Sequence, residues 1–223
     1  MRKLLILAIS LFISFTIYSQ KNKKGPSIPD FGKVDKAELE MKECDFDPKA
    51  EAVVLFDVGE MTWIIGARNL EFTRHVRIKV LQDKGRNVAD IHLPYYSYQN
   101  LEDIKDITAQ TYNLDASGNV AITKLDKKLI YDKKLNKRVS EKAFTFPEVK
   151  AGTVIEFKYK YSTAGLIQWY FQRSIPVKYS LYTVDVPKEI EVNCFPRCSL
   201  PYDYDKQEET TRTIQTYSMV PLA

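Results

Sequence analysis

His75, His92, Cys44, Cys194 and Cys198 have the widest chemical repertoire in this chain. Nucleophilic catalysis needs a cysteine or serine within reach of a base, and a third group to orient that base. His75 and His92 are the only two imidazoles. They fall on the polar sides of two consecutive expected strands. There they could be cross-strand neighbours, serving proton transfer or a metal. No third ligand follows at a short metal spacing, so two surface imidazoles on a hairpin are the simpler reading. Cys44 sits in KECDFDP and Cys194 in NCFPRC, neither with a histidine close in sequence. The chain has no Gly-rich phosphate loop, no GxSxG and no HExxH. The expectation is a protein that is not an enzyme, with no catalytic residues, no metal and no cofactor.

Carboxylates give a second set. Glu102-Asp103 with Asp106, or Glu208-Glu209, would suit glycoside hydrolysis only if two acids faced each other across a cleft. Adjacent acids on loops read as solvated surface. Asp203-Tyr204-Asp205 and Asp115–Asn119 are oxygen-rich enough to suggest calcium, but neither carries a full ligand set.

Aromatic residues are the third set, with 14 Tyr, 11 Phe and two Trp. Tyr95, Tyr96 and Tyr98 cluster behind Pro94. Trp169, Tyr170 and Phe171 cluster further on, with Gln172 alongside. Exposed Tyr and Trp make good contact surface for sugar faces or for a partner protein. Tyr95, Tyr96, Tyr98, Trp169 and Gln172 are therefore the candidate contact residues. Core filling is the competing reading, above all for Trp169 and Phe171.

The elements that must position these groups are strands. In Thr153–Ser162, Ile155, Phe157, Tyr159 and Tyr161 alternate with Glu156, Lys158 and Lys160, the period-two signature of a half-buried strand. Glu71–Gln82 alternates in the same way. Phe72, Val76, Ile78 and Val80 face one side, and Thr73, His75, Arg77 and Lys79 the other. Arg74 is the single break in that pattern. Asp83-Lys84-Gly85 reads as a tight turn with a positive φ at Gly85, returning as Val88–Leu93. Further strands are expected at Ala52–Val58 and Met61–Ile65, separated by Gly59, and at Ile107–Leu114, Val120–Leu125, Val139–Phe146, Ile167–Gln172, Val177–Val186, Ile190–Phe195 and Thr210–Tyr217. About eleven or twelve short strands without a long amphipathic helix imply an all-β fold, a large antiparallel β-sandwich.

The ends differ in character. Arg2 and Lys3 precede the apolar run Leu4 to Ile17, and small Ser19 and the polar Gln20–Lys24 follow, which is the layout of a secretory signal peptide. The run is shorter than the roughly 20 residues of a spanning helix. Residues 1–20 are therefore expected to be cleaved, leaving an exported protein in the periplasm, at the cell surface or secreted, with no membrane span. Residues 21–49 read as a lead-in or linker holding a turn or two of helix near Asp35, and residues 50–223 as the domain. Cleavage lowers the net charge from +4 to about +2, which gives no support for nucleic-acid binding. An oxidising compartment allows a disulfide between Cys194 and Cys198 across Phe195-Pro196-Arg197, with Cys44 left over.

From Ala50 onward the chain resembles the bacterial DUF3857 family. The resemblance rests on AEAVVLFDVG (Ala50 to Gly59), HVRIKVLQDKGRNVADIHLPYY (His75 to Tyr96), ITAQTYNLDASGNV (Ile107 to Val120), FTFPEVKAGTVIEFKYKY (Phe144 to Tyr161) and WYFQRSIPVKYSLYTVDVP (Trp169 to Pro187), in family order. It implies a β-sandwich of the kind that stands before a transglutaminase-like domain in exported proteins. The role it implies is an accessory or recognition module for such a peptidase-type domain, in the same product or on a partner envelope protein. A carbohydrate-binding module at the cell envelope is the alternative. A hydrolase would need Cys44 or Cys194 brought to His75 or His92.

Overall fold

The computed structural model describes residues 27–63, 66–67, 69–195, 197 and 200–221. The expected signal peptide and Cys198, and with it the 194–198 pairing, lie outside these residues. Among the described residues, eleven strands form two sheets, in keeping with the period-two patterns. They are β1 (Ala52–Thr62), β2 (Leu70–Val80), β3 (Asp90–Tyr96), β4 (Asp103–Leu114), β5 (Val120–Lys124), β6 (Tyr131–Lys134), β7 (Val139–Thr145), β8 (Val154–Thr163), β9 (Ser180–Pro187), β10 (Asp203–Glu208) and β11 (Arg212–Met219). The large sheet runs β10-β11-β9-β1-β2-β8-β4-β5, and the small one β3-β7-β6.

Not every pair is antiparallel. β1 and β9 run parallel, Asp57 opposite Ser180 through Thr62 opposite Asp185. A parallel neighbour needs a long crossover, and residues 164–179 supply it. This segment was expected to hold a strand over Ile167–Gln172, but it is irregular. The crossover pairs with the sheet only at its end, where Val177 bridges Val54 of β1 just ahead of β9. Its alternating Ile167, Trp169 and Phe171 instead pack on the main core. Ile190–Phe195 is likewise irregular.

Two glycines act differently from their expected roles. β1 passes straight through Gly59, and the glycine serves packing there: a Cβ would lie 2.5 Å from the Trp169 ring and 2.9 Å from Phe72. Gly85 does not close a tight hairpin. It lies in a 3-10 helix over Asp83–Ala89, and its missing side chain admits the Glu51 carbonyl, 2.2 Å from where a Cβ would stand. A backbone atom cannot swing aside as a side chain can. Gly85→Ala is expected to lower stability by about 2–3 kcal/mol in urea unfolding; an unchanged midpoint would show that the contact yields.

The 3-10 helix also carries β3 away from β2 and into the small sheet, where it pairs with β7. The main core lies between the sheets. Phe144 and Phe146 at the β7 end meet Phe157 of β8 at 6.3 and 6.1 Å between ring centroids. Beyond the small sheet, Trp169 of the crossover takes over as the covering layer and stacks on Tyr182 of β9 at 5.3 Å.

The opposite face of the large sheet is also covered. Residues of the lead-in fold across it through the short helix α1 (Lys36–Glu40), whose N-terminus is closed by an Asp35/Glu38 capping box. Leu39 of α1 packs with Tyr112 and Val154 in a small second core.

Candidate functional site

Beneath α1, the polar side of β2 is buried rather than solvated. Arg77 and Lys79 have no exposed surface, and neither has Glu156 of β8. The Glu156 carboxylate accepts from Arg77 Nη2 at 2.7 Å, from the Tyr112 hydroxyl, and from the Gly32 amide at 3.0 Å. His75 Nε2 lies 2.8 Å from the same carboxylate. Burial pushes the Glu156 carboxyl up, but the bonds from His75 and Tyr112, the Arg77 charge and the Gly32 amide outweigh it and hold it at about 2. Burial and the same carboxylate raise the Tyr112 phenol. Arg77 also donates to Glu38 and to the Lys33 carbonyl, and Lys79 to the carbonyls of Leu39 and Gly152. Burial and the nearby Lys42 charge lower Lys79 to about 8. These groups engage one another and tie the lead-in to the sheet, with Arg77 Nε left as a buried donor that has no partner among the described residues; the arrangement is structural in chemistry.

His75 and His92 are not neighbours. His75 is opposite Lys158 in the large sheet, and His92 is opposite Ala143 in the small one. Each meets a glutamate, His75 with Glu156 and His92 with Glu141 at 3.0 Å. Cys44 is fully buried with Ala50 and Val53. Cys194 is half-buried near Tyr217 and Tyr182, and burial raises its thiol. Among the described residues, no histidine–cysteine hydrogen bond forms and no group of three His, Cys, Asp or Glu is placed to hold a metal. The Asp115 carboxylate is occupied by the amides of Ser117 and Asn119. Glu102 is likewise engaged, by the Tyr161 and Thr163 hydroxyls and the Tyr96 amide.

The tyrosine cluster divides. Tyr95 turns into the core, with its hydroxyl donating to Asp132 at 2.9 Å. Tyr96 is half-buried and Tyr98 exposed, their rings edge-on at 6.2 Å. Asn100 and Gln99 beyond them hold positive φ of 54° each.

Trp169 and Gln172 do belong to one cavity. The crossover, β9, the end of β11 and residues 193–195, 197 and 200 line an open cleft of about 560 Å³, with Leu166, Trp169, Tyr170, Gln172, Phe195 and Met219 among its walls. Trp169 is its wall rather than a free platform. Tyr182 stacks on its ring, the Arg74 guanidinium lies over it at 5.2 Å, and Nε1 donates to Ser180. The exposed rings are Tyr170 and Phe195, which expose 61% and 83% of their surface. Neither was singled out from the sequence as a contact, because an aromatic in a covering loop and one in a core strand look alike until the loop is placed.

The family comparison agrees with the fold. The model for DUF3857, described as a "Domain of Unknown Function with solved-structure structure", matches residues 67–223. The chain belongs to the DUF3857 family. The lead-in, α1 and β1 lie ahead of the matched part of this DUF3857 chain. No curated protein matches it in sequence. Among solved structures it is similar to a protease candidate from Parabacteroides distasonis, with a TM-score of 0.62 and 14% identity over 76% of this chain and 35% of the other. Looser alignments reach an M1 zinc metallopeptidase from Deinococcus radiodurans (TM-score 0.34, 12% identity, 77% of this chain and 40% of that one). They also reach leukotriene A4 hydrolase from Saccharomyces cerevisiae (TM-score 0.37, 10% identity, 83% and 33%). The chain thus spans about a third of the length of the solved chains it matches.

Proposed function

We propose that this protein is an exported, non-catalytic module that docks a transglutaminase-like, peptidase-type domain, in the same product or on a partner, through the aromatic cleft. The observation that carries the proposal is the cleft itself. A soluble surface seldom offers a large ring as exposed as Phe195 beside Tyr170 and Leu166 unless something covers it. Aromatic side chains in a concavity are the usual anchors of such contacts. The recurrence of this fold as about a third of a longer chain described as a protease candidate fits a module that accompanies a peptidase-type domain. The glycan alternative calls for a flat, open ring at Trp169 or Tyr96. Trp169 is engaged by Tyr182 and Arg74 and Tyr96 is half-buried, so domain docking is the better supported reading.

The test is capture of a transglutaminase-like domain encoded in the same or an adjacent reading frame, measured by calorimetry. The parent chain is expected to bind it, and Tyr170→Ser with Phe195→Ser to weaken binding by about tenfold or more. Equal binding by the double variant would remove the cleft from the interface. Turnover of a peptide by the purified chain alone would end the non-catalytic reading.

A further inference from the structure

Asp57 of β1 is fully buried on the core side of the large sheet and is shared by two arginines. Arg74 of β2 grips it with both arms, Nε to Oδ1 at 2.8 Å and Nη2 to Oδ2 at 2.7 Å. Arg173 of the crossover reaches the same carboxylate through Nε at 2.8 Å and through Nη2. The side chains become more exposed outward, from 0% for Asp57 to 17% for Arg74 and 34% for Arg173. Among the described residues neither arginine has another acidic partner. Two guanidinium charges therefore stand against one carboxylate, and the surplus positive charge falls to Arg173, the exposed outer member of the cluster. A guanidinium fork held in place at a partly exposed edge is a ready partner for an anion. Arg173 Nη1 has no hydrogen-bond partner among the described residues, and a third of its side chain reaches the surface.

The cluster adjoins the aromatic cleft. The Arg74 guanidinium lies over Trp169, which walls the cleft, and Arg173 follows Gln172, which lines it. We propose that Arg74 and Arg173 form a carboxylate-binding site beside that cleft, with Asp57 as the buried counter-charge that holds both forks in place. Guanidinium forks suit a carboxylate in geometry as well as charge. The ligand is a polypeptide segment that presents an acidic group next to an apolar or aromatic side chain. The ring enters the cleft and the acid meets the free edge of Arg173. This inference rests on the docking reading and specifies what the docked surface carries.

The experiment uses the full chain and a fluorescent peptide, acetyl-Gly-Phe-Glu-Leu-Gly-amide, read by polarisation. Two further peptides complete the set: its Gln counterpart, and that Gln form with a free C-terminal carboxylate. The Glu peptide is expected to bind about tenfold more tightly than the neutral one, with the preference shrinking as salt is raised. A preference for the free C-terminus over the Glu side chain would assign the site to a chain end. Arg173→Gln is expected to abolish the preference while leaving the neutral peptide's affinity unchanged. Should that variant also lose the neutral peptide, Arg173→Lys decides: it keeps the charge and is expected to keep a reduced preference for the acid. Equal affinity for acidic and neutral peptides, a preference that survives Arg173→Gln or vanishes in Arg173→Lys, or no binding of any peptide at about 1 mM would each overturn the site. Equal but measurable binding would leave the docking cleft standing. A normal acid preference without domain capture would leave the site standing and remove the proposed partner.

Discussion

Glu156→Ala is expected to destabilise the protein by about 3–5 kcal/mol, among the largest effects of any single substitution. The side chain is fully buried and receives Arg77, Tyr112 and the Gly32 amide, with His75 at 2.8 Å. Its removal leaves the Arg77 charge in the interior with only Glu38, on the covering segment, to meet it. Urea unfolding at neutral pH measures the loss, and a change under about 1 kcal/mol would mean that water or Glu38 takes over the role. The same carboxylate sets an acid dependence. Its folded value of about 2 lies below the ordinary 4.5. Between those values the unfolded chain binds more protons than the folded one, so stability rises with pH across that window. The contribution, about 3 kcal/mol, is complete above the ordinary value and is lost as pH falls through about 2. The Ala variant should therefore show a shallower acid limb than the parent. Lys79 acts at the other end of the scale. Its folded value of about 8 lies below 10.5, so its burial penalty is complete below 8 and is relieved as pH rises from there.

Removal of residues 27–41 is expected to cost at least about 5 kcal/mol, more than Leu39→Ala alone at about 2–3 kcal/mol. Composition alone marks residues 21–33 as a tether, with charge, two prolines and two glycines, and the residues from Asp35 on as a turn or two of helix within a lead-in. In the structure it covers a face that cannot stay dry without it. Leu39 seals Tyr112 and Val154, Glu38 and the Lys33 carbonyl accept from Arg77, and the Leu39 carbonyl accepts from Lys79. Thermal or urea unfolding of the shortened chain gives the answer. A midpoint equal to the parent's would return the segment to the status of a loose lead-in.

The two buried charge clusters differ in how much they showed in advance. Arg74 was visible as the one residue out of phase in the alternation of β2. It is out of phase because it belongs to the core side with Asp57, and Asp57 itself interrupts the apolar run of β1. Only the pairing of β1 with β2 shows that the two belong together as an internal ion pair. Nothing local marked Glu156, Arg77 and Lys79. Their alternation with apolar neighbours is what a solvated strand face also shows, and only a segment distant in sequence makes that face an interior. Tyr170 and Phe195 were hidden for the opposite reason, since both sit in stretches whose apolar periodicity suggests strands.

The residue pattern alone determined that this chain forms sheets, which side of each main strand faces the core, and which family it belongs to, because side-chain alternation and turn chemistry act between near neighbours. Strand order, the parallel β1–β9 contact, the covering of the second face and the position of the cleft were decided only in three dimensions. Each depends on which distant segments meet. That choice is made by the free energy of burying whole surfaces together and leaves no periodic trace in any one stretch of chain.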